Sequence, residues 1–412
     1  MKKYVIFSSC IGGMGGGQMY VRNKLLYLRE NGWRVNIFSM PTGDIVIPEL
    51  KEFKEDDYLP VFPMHYYSKR KRHQVINRLL NQIVDDTYEE IVVETNSING
   101  STWAEELSSM IGAKHLSYPL GEGFVIANKG MQQLLIFKHR RRELVGITDT
   151  SLQQMFAPFH QIEKGESYKI PAWCNNVEAD VDSPFIDKID KNKYDYIVGC
   201  LSRLSKNFIL PAIKDFCNYT KHYKNQRFLL LLIGDSMENS TAGEEIGKLL
   251  ESVKDNVELL ITGYMYPVPT RLLEKCDAFF TSAGSGWVCM RSGVPTIVYD
   301  GNDLKPIGIL GRTTQSCLFR KENEPVQDFS DLMKKILVDK EFAKMEPSYK
   351  GGLPDFKDHF LFLLQSEPKK EYYDVESIHI ETQEEKIHRA AIMIIGERMY
   401  IQVLRLKSRI WK

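Results

Sequence analysis

The 412 residues carry 54 lysines and arginines against 54 aspartates and glutamates, with 43% hydrophobic and 26% charged residues. Zero net charge removes any overall electrostatic case for a nucleic-acid partner, and this length and ordinary globular composition suggest two domains. Seven scattered cysteines without a C-x-x-C pair argue against a disulfide framework or zinc site and fit a reducing cytosol.

Tyr4 to Phe7 reads as a first strand. Five glycines follow in the six positions 12–17, a density that disfavours regular structure. A helical pattern runs from Met19 and ends at Asn31-Gly32, a C-cap signal. Val35 to Phe38 is the second strand of a βαβ opening. No G-x-G-x-x-G register is followed by an acidic residue at its end, so the loop reads as a nucleotide or sugar loop rather than an NAD site.

Residues 40–72 are irregular. The basic run Lys69–His73 reads as a solvated loop, with anionic lipid or an anionic acceptor as the sharper alternative. Helical patterns at Val75–Val84, Thr102–Ile111, Met131–Phe137 and Ser151–Phe156 then alternate with strands at Glu90–Glu94, Lys114–Tyr118, Leu144–Ile147 and Tyr168–Ile170. Such alternation predicts a parallel sheet covered on both faces. A second basic run, Lys138–Arg142, follows the third helix.

Residues 175–193 are polar without period and read as a linker. Within it, Asp180-Val-Asp182 reads as flexible acidic linker in preference to a metal site. The alternation then restarts. Strands fall at Tyr196–Leu201, Arg227–Ile233, Val257–Thr262, Asp277–Phe280 and Thr296–Tyr299, and helices at Leu210–Tyr219, Glu244–Val253, Pro269–Lys275 and Trp287–Arg291. The Asp277 strand stops in the small residues Ser282 to Gly286. Parallel sheets bind ligands at these carboxyl ends, and small residues let backbone N–H groups approach a phosphate at a helix N-terminus. The competing reading is a tight turn that binds nothing.

Helices at Phe329–Val338 and near Phe356–Leu364 lead to the tail, Glu384–Lys412, a long amphipathic pattern with Trp411 and basic Arg398, Arg405, Lys407, Arg409 and Lys412. It reads as a helix packed on the protein's own domains, the alternative being a membrane interface. The N-terminal apolar run is too short for a signal peptide. The run Phe228–Ile233 falls far below the ~18–20 residues of a transmembrane helix. The expected location is cytoplasmic, or peripheral on the inner face of the cell membrane.

Five motifs in order carry a family resemblance over residues 4 to about 300. They are the Gly12–Gly17 loop, Cys200-Leu-Ser-Arg203-Leu-Ser-Lys206, Leu232-Ile-Gly-Asp235, Leu260-Ile-Thr-Gly263-Tyr264 and Ser292-Gly-Val-Pro295. The chain resembles GT-B glycosyltransferases, most closely the family-4 type of bacterial surface polysaccharide synthesis. The resemblance implies an α/β fold of two Rossmann-like domains facing across a cleft, with a C-terminal helical tail. Its boundaries would be an acceptor domain over 1–180, a linker over 181–193, a donor domain over 194–365 and a tail over 366–412.

By the same resemblance, Arg203 and Lys206 would neutralise the diphosphate of the leaving group. Gly284, Ser285 and Gly286 would add donors to it, and Gly15, Gly16 and Gly17 would face it. Tyr264 and Gly263 would lie near the nucleobase. The family's E-x7-E pair would fall at Phe280 and Val288, neither of them acidic, which leaves Asp303 as a spare carboxylate for ribose or sugar hydroxyls. Glu122, with Glu94 second, is the candidate base towards the acceptor, the competing reading being a capping or ion-paired glutamate.

The expected activity is metal-independent, cofactor-free sugar transfer from a UDP- or GDP-linked donor to a glycan or lipid-linked acceptor. The expected partners are that donor, that acceptor, a membrane surface and a partner glycosyltransferase subunit, without nucleic acid. The rival expectation is a non-catalytic GT-B partner subunit or glycan-binding protein, and a third is a sugar-nucleotide epimerase on the same fold.

Overall fold

The computed structural model describes every residue except 10, 42, 54–57, 84–87, 122–123, 149, 164, 173, 175–176, 236–240, 350–352 and 411–412, and does not describe the side chains of 405 and 408–410. Two compact units form. One comprises Met1–Gly12, Tyr20–Trp173 and Leu353–Lys412; the other comprises Gly13–Met19 and Cys174–Gly352. Two segments therefore lie apart from the boundaries expected above. The glycine loop groups with the second unit, and residues 353–365 group with the first.

In the first unit, β1 (Lys2–Ser8), α1 (Gly16–Glu30, of which only Tyr20 onward groups with this unit), β2 (Trp33–Ser39), α2 (Lys69–Ile83), β3 (Glu90–Thr95), α3 (Ile98–Ile111) and β4 (Lys114–Ser117) build a parallel sheet of order β2-β1-β3-β4. Six of the seven β1 residues are buried, because helices cover both faces of such a sheet. The helices α4 (Lys129–Arg140) and α5 (Ser151–Phe156) follow. The strands expected at 144–147 and 168–170 survive only as single bridges, Ser117↔Leu144 and Gly146↔Lys169.

The first basic run is solvated as expected but helical, and the second is divided. Lys69–Arg72 is the first turn of α2 rather than a loop. Lys138–Arg142 is split between solvent and interior: Arg140 and Arg142 are exposed, while Lys138 and Arg141 are buried. Lys138 Nζ lies 2.6 Å from Glu143 and 3.0 Å from Glu105, and Glu105 also meets His115 Nδ1 at 2.6 Å. Burial alone would raise the Glu105 pKa, but Lys138 and His115 outweigh it and hold the carboxyl at about 2. A folded pKa below the unfolded value adds stability above pH 4.5 that is lost as pH falls towards 2, about 3 kcal/mol for this shift. Burial lowers the His115 pKa, which adds in the same direction as acid charges that ring. Glu105→Gln is expected to lower stability at neutral pH and flatten its fall in acid, read by denaturant melts. An unchanged acid slope would assign the transition to other groups.

Glu94, the second base candidate, is fully buried. It accepts from the hydroxyls of Tyr4 and Tyr20 at 2.6 Å and from Asn96 Nδ2 at 2.9 Å, with Lys24 Nζ 3.7 Å away. It is an ion-paired core carboxylate.

In the second unit, β5 (Glu178–Ala179), α6 (Pro184–Lys188), β6 (Tyr196–Leu201), α7 (Ile209–Lys221), β7 (Phe228–Ile233), α8 (Ala242–Leu250) and β8 (Val257–Ile261) come first. They are followed by β9 (Val268–Pro269), α9 (Thr270–Glu274), β10 (Ala278–Thr281), α10 (Gly284–Arg291), β11 (Thr296–Tyr299), β12 (Pro306–Ile309) and α11 (Phe329–Leu337). The sheet order is β12-β11-β10-β6-β7-β8, with β12 alone antiparallel. The stretch read as linker is partly built into this unit: β5 pairs with β9, and buried Glu178 accepts from Arg291 at 2.6 and 2.9 Å. Asp180 and Asp182 both meet Arg271.

The chain returns to the first unit in α12 (Lys357–Leu364), α13 (Gln383–Ile395) and α14 (Glu397–Ile410). The single long tail helix expected is two, divided at Gly396 (φ +77°). Ile392 and Tyr400 enter the first unit's core, so one face of the tail packs on the protein itself. Among the described residues, no helix is long and apolar enough to cross a membrane.

Candidate functional site

After β6 the second unit's chain builds β7 and β8 on one side, then crosses to place β10 and β11 on the other. The crevice at the carboxyl ends of β6 and β10 is thus a topological switch point, where open α/β sheets bind ligands. Two loops meet there, Ser202–Phe208 after β6 and Ser282–Ala283 after β10. Thr281 Oγ1 ties them by donating to Leu201 O at 2.8 Å.

The first loop carries Arg203 and Lys206. Ser202 N donates to Ile233 O at 3.1 Å and Leu204 N to Asp235 O at 2.9 Å, clamping it against the end of β7. The clamp requires Gly234 (φ +147°), where a Cβ would stand 2.0 Å from Ser202 O. Arg203 is exposed and Lys206 half-buried, and neither forms an ion pair among the described residues. Lys206 Nζ lies 6.0 Å from the Phe208 ring. Cys174, Cys200 and Cys317 also lie near it, and burial pushes the Cys174 and Cys200 thiols up to about 11 and 12, so those two stay neutral. Burial, and then the Arg203 charge, lower the Lys206 pKa. Two cations with no ion-pair partner among the described residues make a site that gains free energy by taking an anion.

The second loop is two residues long, so α10 begins at Gly284, earlier than the Trp287 expected. Ala283 sits at φ +62°, ψ −146°, a glycine-like conformation costing about 1–3 kcal/mol. It is held there by its N–H on Cys317 O at 2.7 Å. A Cβ on Gly284 would meet nothing within 4 Å, and Ser285 is half-buried with its hydroxyl unbonded among the described residues. Gly286 does not fit a donor role. Its N–H goes to Ala283 O at 2.9 Å, and a Cβ would press on Val298 at 3.0 Å, so this glycine seats the helix on the sheet.

The N-terminal glycine loop joins the same unit. A Cβ on Gly15 would lie 3.9 Å from Arg203 Nε, one on Gly13 3.9 Å from the Tyr264 hydroxyl, and one on Gly16 3.4 Å from Cys174 Sγ. Gly15 O accepts from Met19 N at 3.0 Å, at the start of α1. Gly17 lies in that helix's first turn, half-buried. Arg203, Lys206, Gly15, Gly16, Tyr264, Gly284 and Ser285 are therefore placed on neighbouring segments of one unit.

Asp303 is not spare: its carboxylate grips Arg320 at 2.7 and 3.3 Å, and that hydrogen bond holds its pKa down. Phe280 is a core residue of β10, against Phe216 and Phe329, and Val288 is buried in α10. Glu122 lies outside the described residues. Sequence reasoning missed the strain at Ala283, for which an alanine carries no signal. It also missed the Gly234 clamp, which a glycine closing an unbroken apolar run could have flagged.

No family model and no curated protein matches the chain. Solved structures do. Anabaena HepE in complex with UDP and glucose matches with TM-score 0.55 at 14% identity, over 82% of this chain and 91% of that one. A glycosyltransferase from Rickettsia africae matches with TM-score 0.52 at 14% identity, over 98% and 97%. At this identity the shared property is the fold, the GT-B architecture of two Rossmann-like units with a helical tail.

Proposed function

We propose that this chain is a glycosyltransferase that moves a sugar from a nucleoside-diphosphate donor to a glycan or lipid-linked acceptor in surface polysaccharide or glycoconjugate synthesis. The observation that carries the reading is the pair Arg203 and Lys206 at the switch point, without an ion-pair partner among the described residues, beside the open N-terminus of α10. As the glycosidic bond breaks, negative charge develops on the departing diphosphate. Fixed cations and N–H groups stabilise that charge most at the transition state, so they accelerate the step as well as bind the donor. Gly284 and Ser285 supply donors from the helix end. Tyr264 flanks the site on the nucleobase side. The fold shared with HepE, which was solved with UDP and glucose, supports a nucleotide-sugar donor. The two cations take the charge-balancing role that a metal serves elsewhere.

A thermal-shift series with UDP, GDP, CDP and their sugars tests this. One diphosphate is expected to raise the melting temperature with concentration, by mass action. No shift with any of them sinks the proposal.

A second reading has its own support. The two-residue loop before α10, with Phe280 and Val288 in the core and Asp303 held by Arg320, leaves no carboxylate for the donor's hydroxyls on these segments. A partner subunit that binds the nucleotide without turnover fits that. Diphosphate release from the stabilising nucleotide sugar separates the two: binding without release favours the non-catalytic role.

A further inference from the structure

The tail packs only one face on the first unit. On α14, Met399, Val403 and Leu406 stand 59%, 47% and 52% exposed at i, i+4 and i+7, one helical stripe. On α13, Ile387 and Ile394 are 57% and 80% exposed at i, i+7. Large apolar side chains aligned in this way are not scattered surface residues.

Bases adjoin them. A cavity of about 460 Å³ is lined jointly by Ser68 and Lys71 at the start of α2, by Met393 at the end of α13, and by Arg398 and Met399 of α14. Glu397 also lines it, but is buried and accepts from Val61 N at 2.6 Å. The first turn of α2 stacks Lys69, Arg70, Lys71 and Arg72 at the helix's positive end, where cations are disfavoured. Glu376 offsets Lys69 and Arg72, at 3.9 and 2.9 Å; Arg70 and Lys71 form no ion pair among the described residues. Exposed Glu384 on α13 is paired with His388 at 3.4 Å.

We infer that the start of α2 and the outer stripe of α14 together form a docking surface for an anionic lipid bilayer. The stripe enters the interface, and Lys69, Arg70, Lys71 and Arg398 meet phosphate headgroups. Residues joining apolar and cationic character on one face fit a bilayer better than a second copy of the chain, whose own bases would repel.

The test is cosedimentation of the full chain with phosphatidylglycerol-containing vesicles against pure phosphatidylcholine. Binding is expected to the first and to be weakened by salt. Lys69→Gln/Arg70→Gln/Lys71→Gln and, separately, Val403→Ser/Leu406→Ser are each expected to lower the bound-to-free ratio at least tenfold with the melting temperature unchanged, since all five side chains are exposed. Absence of binding to anionic vesicles, or sensitivity to only one variant, overturns the inference. So does a dimer in sedimentation velocity that the serine variant dissolves, because a second copy would then cover the face. Nucleotide-induced thermal shifts are read in parallel, so failure here is distinct from failure of the donor site.

Discussion

Replacing Arg203 by alanine and Lys206 by methionine together is expected to remove detectable binding of the diphosphate that stabilises the wild-type chain, and each single change to weaken it at least tenfold. Tenfold corresponds to about 1.4 kcal/mol, within the range of a charge-assisted hydrogen bond to phosphate. The same variants should not lose stability. Arg203 is exposed, and neither side chain forms an ion pair among the described residues. Lys206 is charged at a cost, as its lowered pKa records. Methionine keeps the volume and removes that cost, so Lys206→Met is expected to melt at or above the wild-type temperature while binding ligand worse. Opposed effects on stability and affinity are the mark of a binding residue, because a structural lysine would lose both. Titration calorimetry and thermal melts read the two quantities. Unchanged affinity in the double variant would mean the diphosphate binds elsewhere.

Gly234→Ala is expected to cost roughly 3 kcal/mol or more in stability and to weaken the nucleotide as well. Its φ of +147° disfavours any side chain, and the new Cβ would stand 2.0 Å from Ser202 O and 2.9 Å from Ser202 C. Backbone cannot swing aside as a side-chain tip does, so the loop between Leu201 and Phe208 must move, and Arg203 moves with it. Gly247→Ala is the control. That glycine is inside α8, a Cβ there meets nothing within 4 Å, and alanine should stabilise by about 1 kcal/mol. If Gly234→Ala melts and binds like wild type, the clamp does not position the loop.

The features of this protein were legible in its sequence to different degrees. Strand–helix alternation reads directly from local composition, since period and apolar run length are properties of neighbouring residues. The start of α10 at Gly284 and Ser285 was partly legible, because a run of small residues at a strand end marks a strand-to-helix junction. Gly286 was misjudged on the same rule: a glycine required for helix–sheet contact and one required for phosphate approach look alike until the sheet beneath, Val298 and Leu310, is in place. The basic runs show the same limit. Lys138–Arg142 and Lys69–Arg72 have similar composition, yet Glu105 and Glu143 draw Lys138 into the core, while Arg70 and Lys71 keep to the surface.

The order of residues along the chain determined the α/β alternation, two Rossmann-like units, the amphipathic tail and the positions of Arg203 and Lys206 just past a strand end. These rest on interactions within a few residues, or on burial patterns each segment carries by itself. Only the tertiary structure decided that β10 lies against β6, bringing the Arg203 loop beside Gly284, and that the glycine loop at 13–19 groups with residues nearly two hundred positions away. It alone decided that Asp303 is engaged by Arg320, that Glu94 is sealed in the core and that the tail turns at Gly396. Partner choice for a charge, and the side of a sheet on which a strand is added, are settled by the packing of distant segments, and no local pattern records them.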